Sequence, residues 1–213
     1  MRVFSKLSIV VSHDYPDGDE DGTYVEMTNG HSSIEIASLE SALGMLPPGS
    51  RVQVVARGTV GNKTVHRISR IIRESCVLVV LDMTDVTECS RVFESPFQRN
   101  DKLLSIRFPG NLVSISPHAF AACTALEAAY IPASCALVGA GAFVGCSRLH
   151  HLEFAETGNW YYDTASGATV PLEDLRDATE NAKRISFGAL SECRLFKSTV
   201  QQELSAAFKV DFT

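Results

Sequence analysis

At 213 residues the chain is long enough for one ordinary domain with a real core and its caps. An apolar content of 45% with 21% charged residues excludes a disordered chain. A net charge of −6 gives no reason to expect nucleic acid, whose binders carry a concentrated basic surface.

The start, MRVFSKLSIVVSHDY, sets Arg2 and Lys6 before the apolar stretch Leu7 to Val11. That stretch is shorter than a signal-peptide core of about 7–15 residues. No signal peptide is therefore visible, and a cytoplasmic location stays open. The longest uncharged apolar run, Cys135 to Cys146, has 12 residues and three glycines, short of the roughly 18–20 that span a bilayer. Residues 1–22 read as a flexible acidic lead-in. Within it Asp17, Asp19, Asp21 and Gly22 fit the opening of a calcium loop. The twelfth position is Thr28 rather than the expected Glu, which leaves weak calcium binding as the alternative to a plain acidic segment.

Residues 23–77 read as an α/β cap. GTYVEM is a strand, and from Ser38 a helical pattern runs to Pro47-Pro48-Gly49. Arg51 to Ala56 is a strand. Lys63 to Glu74 is an amphipathic helix with Val65, Ile68, Ile71 and Ile72 on one side and Arg67, Arg70 and Arg73 mostly opposite. These arginines read as a wet helix face, with a basic ridge as the alternative. Cys76 to Met83 is a short apolar run suited to a buried parallel strand.

The chain then repeats itself. LLSIRFPGNLVSISPHAFAACTA (103–125) lies over LEAAYIPASCALVGAGAFVGCSR (126–148), offset by 23 residues without a gap. Leu103 matches Leu126, Phe108-Pro109 matches Ile131-Pro132, Ala119-Phe120 matches Ala142-Phe143 and Cys123 matches Cys146. A period of 20–29 residues is typical of leucine-rich repeats, whose single turns cannot bury their apolar side alone. Apolar residues alternate with polar ones at the head of each row, the period of a half-buried strand, and the proline ends it. A degenerate, longer coil begins near Met83. It takes Leu81, Met83, Cys89, Val92 and Phe97 as inward residues and carries two extra residues. Leu149, Leu152 and Phe154 start another row before the period fails, so residues 78–157 are assigned to roughly three to four coils and 158–213 to a carboxy-terminal cap. In that cap Trp160-Tyr161-Tyr162 reads as a strand over the open end, and Ser198 to Phe208 as a last amphipathic helix.

The arrangement L-x-x-I-x-[IF]-P … A-F-x-x-C resembles the BspA-like, or treponemal, leucine-rich repeat of bacterial surface proteins. The resemblance implies an α/β solenoid, a short right-handed coil with a parallel sheet on one face. It also implies an α/β amino-terminal cap, an irregular carboxy-terminal cap and a place in the bacterial envelope or outside the cell.

Enzymatic motifs are lacking. Gly139, Gly141 and Gly145 have the spacing GxGxxxG inside the repeat, which repeat geometry explains better than a phosphate loop. Cys146 with His150 and His151 suggests a thiol–imidazole or metal site, but in the repeat frame Cys146 points inward and His151 outward. The six cysteines lack the spacing of a disulfide framework or zinc site. Cys123 and Cys146, one coil apart, leave a disulfide open, although repeat position and the packing of Cys favour buried free thiols. No metal or cofactor is expected.

What remains is the sheet face. One ladder joins Asp82, Arg107, Tyr130 and Glu153; beside it run Ser105, Ala128 and His151. Strands about 4.8 Å apart would let Arg107 meet Asp82. The expected role is noncatalytic binding of a protein or other macromolecule, such as a host component or envelope protein. The alternatives are a small apolar pocket where Trp160 to Tyr162 meets the sheet, a scaffolding role, and polar side chains that merely solvate the sheet.

Overall fold

The computed structural model describes residues 8–13, 25–27, 32–87, 89, 91–92, 96–163, 168–172 and 174–198. In chain order the amino-terminal elements are β1 (Ser8–His13), β2 (Val25–Met27), α1 (Ser32–Gly44), β3 (Arg51–Thr59), α2 (Asn62–Glu74), β4 (Leu78–Asp82), β5 (Val86–Thr87) and β6 (Arg91–Val92). The repeat rows supply β7 (Leu103–Arg107), β8 (Ser114–Ile115), β9 (Ala128–Ile131), β10 (Leu137–Val138) and β11 (His151–Phe154). The end is built from β12 (Trp160–Asp163), β13 (Thr169–Pro171), α3 (Ala178–Ser186) and β14 (Leu195–Lys197).

The alternation of the sequence is what makes the first sheet. In β4 the residues 79 and 81 are buried while 78, 80 and 82 stay half-exposed, and β11 alternates in the same way. The strands lie in the order β11-β9-β7-β4-β3-β1-β2, with β5 also paired to β3. From β3 to β11 the pairing is parallel. Ser105 faces Ala128, and Ala128 faces His151, so the 23-residue offset is the hydrogen-bonding register itself. Asp82 faces Arg107, 25 residues on. Arg91 faces Ser114, 23 residues on again, so the two extra residues of the degenerate coil lie between β4 and β6, and a bulge between Val79 and Val80 shifts the β4 register by one.

A second sheet, β13-β12-β14-β10-β8-β6, stands at the other side of each row. Ser114 pairs with Leu137 at the same 23-residue offset. Between the sheets Phe97, Phe120 and Phe143 stack, with centroids 5.1 and 5.2 Å apart and planes within 10°. Phe108 meets Phe120 edge-on at 5.5 Å. Cys123 Sγ donates to the Phe97 carbonyl at 2.8 Å and Cys146 Sγ to the Phe120 carbonyl at 3.1 Å. Each thiol thus ties its own row to the one before. Left-handed backbone recurs with the same period, at Arg99, Ala122 and Gly145 and again at His118 and Gly141. Gly139 has a different reason to lack a side chain: a Cβ there would lie 2.3 Å from the Pro117 nitrogen of the preceding row.

Several boundaries differ from the sequence reading. Ser8–His13 is a strand antiparallel to β3, so regular structure begins before the acidic residues. Asp17, Asp19, Asp21 and Thr28 lie outside the described residues, as does the helix expected beyond Ser198. The cap helix starts at Ser32, six residues before the expected Ser38. In the amino-terminal α/β unit β3 pairs with β4 and so continues the sheet of the repeats. Asn100 fastens that junction: it is fully buried, its Nδ2 donates to the Ser69 carbonyl of α2, and its Oδ1 accepts from the Lys102 and Leu103 nitrogens. Ser69 Oγ in turn donates to the Pro96 carbonyl.

At the far end α3 substitutes for the next row. Phe120 N and Ala122 N donate to carbonyls of the following row, whereas Gly145 N donates to the Ser186 carbonyl of α3 at 3.1 Å. Asn181 Nδ2 donates to the Leu152 carbonyl on edge strand β11 and to Leu175. The helix itself starts where the Asp177 carboxylate accepts from the Thr179 and Glu180 nitrogens. Gly188-Ala189-Leu190 with Cys193 repeats Gly141-Ala142-Phe143 with Cys146, a degenerate repeat hidden behind the insertion that ended the simple period.

Candidate functional site

The face of the first sheet is built by strand alternation alone. Inward residues such as Leu81, Ile106, Ala129 and Leu152 are fully buried, which sends Asp82, Arg107, Tyr130 and Glu153 outward in one ladder. The register places Asp82 beside Arg107, Arg107 beside Tyr130 and Tyr130 beside Glu153. Ser105, Ala128 and His151 form the second ladder as anticipated.

The side chains join differently from the expected Arg107–Asp82 contact. Arg107 Cζ lies 4.2 Å from the centre of the Tyr130 ring, a cation–π distance. Asp82 Oδ1 instead accepts from the backbone nitrogen of Thr84 at 3.0 Å and from its hydroxyl at 2.7 Å. That local turn keeps the carboxylate from reaching across to the guanidinium, and no ion pair joins the two among the described residues. The Tyr130 ring meets the His151 ring at 5.4 Å, and His151 Nε2 lies 3.3 Å from Glu153 Oε2. Arg107, Tyr130, His151 and Glu153 therefore form one continuous chain of contacts across β7, β9 and β11. The flanking Ser105 and Ala128 are too small to interrupt it.

Sequence reasoning missed part of this face. Because β3 joins the same sheet, Gln53 lines up with Val80, and Val55 with Asp82. Val55, Leu78 and Val80 are half-buried and outward, an apolar strip beside the charged ladder. Glu127, just ahead of β9, holds Arg148 at 2.7 Å and Arg51 of β3 at 3.8 Å, across β4 and β7. The signal was present in the alternation of RVQVVAR, but nothing in a single strand says which sheet it enters.

A model of the family described as BspA type leucine rich repeat region (6 copies) matches residues 74–197. The chain belongs to this BspA-type leucine-rich repeat family. No curated protein matches it. The matched span runs from the end of α2 through β14, so it takes in the hidden repeat at Gly188 to Cys193. Members resemble bacterial surface proteins, and sheet faces of leucine-rich repeats generally serve protein–protein contact.

The remaining candidates fall into the repeat framework. Cys146 is buried in the core while His151 is half-exposed on the sheet face and His150 is exposed beyond it, so thiol and imidazoles do not converge. Among the described residues no group of three or more His, Cys, Asp or Glu side chains is placed to hold a metal ion. None of the six cysteines forms a disulfide; Cys123 and Cys146 are buried as expected, but Cys76 is exposed and Cys193 half-buried. The Cys146 thiol is pushed up by its hydrogen-bonded neighbour Cys123 and by burial, and burial pushes Cys89 and Cys135 up to about 11. These are inert packing groups rather than nucleophiles. No helix among the described residues is long and apolar enough to cross a membrane.

Trp160 packs into the core. It is 2% exposed, packs edge-on against Phe154 at 5.2 Å and donates from Nε1 to the Glu156 carbonyl at 2.9 Å. Two clefts flank α2, one of them against α1.

Proposed function

We propose that this protein is a noncatalytic recognition module that binds a protein partner through the outer face of its first sheet. The observation that carries the reading is the unbroken Arg107–Tyr130–His151–Glu153 chain beside the Val55–Leu78–Val80 strip. Arg and Tyr are enriched where interface energy concentrates, and an apolar strip next to them supplies area to desolvate. Asp82, Ser105 and Ala128 complete the surface. By family resemblance the setting is the bacterial envelope or the outside of the cell, and the partner is a host component or an envelope protein. The organisation behind this reading is a short right-handed solenoid over residues 78–157, an amino-terminal cap over 23–77 and a carboxy-terminal cap from 158. Binding on a rigid sheet proceeds with little backbone change.

The test begins with capture of envelope and host proteins on the folded domain, followed by titration of the captured partner. The double variant Arg107→Ala with Tyr130→Ala is expected to weaken that affinity by roughly thirtyfold, from about 2 kcal/mol for a hot-spot pair, with thermal unfolding nearly unchanged. Equal affinity in the double variant removes the sheet face from the mechanism.

A further inference from the structure

We infer that the cleft beside α2 is a second binding site, one that takes a glycan chain bearing sulfate or phosphate groups. The cleft, about 470 Å³, is lined by Lys63, His66, Arg67, Arg70 and Arg73 of α2 and by Pro96 of the following turn. No carboxylate lines it among the described residues. Among the described residues Lys63, Arg67, Arg70 and Arg73 make no ion pair, whereas five of the other arginines, Arg51, Arg57, Arg148, Arg176 and Arg194, do. Arg67 Nε is buried with no hydrogen-bond partner among the described residues, a donor available to a ligand in the cleft. Glu74, next in sequence, lines the other cleft together with Glu40.

Four cations on one helix stripe repel one another at separations of three and four residues, in a chain whose net charge is −6. Helix packing does not require them, since α2 buries Val65, Ile68, Ile71 and Ile72 on its other side. The stripe from Lys63 to Arg73 is about 15 Å long at 1.5 Å per residue, which suits several anionic groups in a row rather than one ion. Arginine favours oxyanions because its planar fork meets two oxygens at once. The only aromatic side chain lining the cleft among the described residues is the His66 imidazole, and no Phe, Tyr or Trp offers the run of platforms on which successive bases stack. Its one apolar residue, Pro96, provides no pocket for the side chains that anchor a peptide. A hydrophilic polyanion is the ligand left.

The experiment is a fluorescence-anisotropy titration of the full chain. The probes are a labelled heparin-derived hexasaccharide, its desulfated counterpart, a phosphorylated mannan oligosaccharide and a single-stranded oligonucleotide. Saturable binding of either charged glycan, weakening with salt, is expected. Arg67→Gln with Arg70→Gln and Arg73→Gln should weaken it by roughly tenfold per guanidinium lost. Arg70→Gln alone, at an exposed position, should weaken it about tenfold with unfolding unchanged, which covers the case of a triple variant that folds poorly. Arg107→Ala should leave it unaltered, separating this site from the sheet face. Equal binding of the desulfated chain, undiminished binding by Arg70→Gln, no saturable binding of either charged glycan, or tighter binding of the single-stranded oligonucleotide would each overturn the inference.

Discussion

Phe120→Ala removes the middle ring of the stack on which successive rows rest. Phe120 is fully buried and touches three other rings, Phe97 and Phe143 face to face and Phe108 by its edge. Losing about 150 Å² of ring surface at about 25 cal/mol per Å² gives roughly 3.5–4 kcal/mol. Each ring pair adds about 0.5 kcal/mol or more, and partial collapse of the cavity returns some of that. The expected cost is about 4–5 kcal/mol, the upper end of the ~3–5 kcal/mol found for Phe→Ala. Phe143→Ala has Phe120 as its recorded ring partner and should cost about 1 kcal/mol less. Urea unfolding of the full chain followed by circular dichroism measures both, and the Phe97/Phe120 double-mutant cycle should return a coupling of about 1 kcal/mol. A loss under about 1 kcal/mol for Phe120→Ala, or a larger loss for Phe143→Ala, refutes the stacked-row account.

Asn100→Ala should cost about 2 kcal/mol or more, because it strands the buried Leu103 nitrogen and removes the tie from β7 to the Ser69 carbonyl of α2. Hydrogen exchange should then quicken first in α2 and β7, and uniform exchange would argue against a junction. Gly139→Ala forces a methyl onto the Pro117 backbone and should cost about 1–3 kcal/mol in the same unfolding assay; a neutral result would mean that the rows are not in such close contact. Burial raises the Cys135 thiol to about 11, above its unfolded value near about 8.5, so the folded state holds that proton longer. Its stabilisation is complete below the unfolded value and is lost as pH climbs through 11. Stability should therefore fall more steeply from pH 8 to 10.5 in the native chain than in Cys135→Ala, and parallel curves would contradict the burial. Iodoacetamide at neutral pH should label exposed Cys76 first, a peptide-mapping result that labelling at Cys123 or Cys146 would overturn.

The repeat offset, the strand heads, the phenylalanine stack and the two outward ladders were legible in the residues alone. A 23-residue period leaves one register that buries every Leu, Ile and Phe of both rows but the half-buried Leu137, and a slip of one residue would turn Arg107 and Tyr130 inward. The side-chain pairings on that face were not legible. Arg107 reaches both neighbours, and only the Thr84 turn, by holding Asp82 back, sends the guanidinium to Tyr130. Tertiary contact also decided that β3 extends the repeat sheet, that Trp160 fills core against Phe154, and that α3 satisfies the backbone donor Gly145 would otherwise offer to a further row. Period and alternation are local properties of a chain and can be read along it. Which edge a strand finds, and which of two reachable partners a charge takes, depends on groups far away in sequence that only folding brings near.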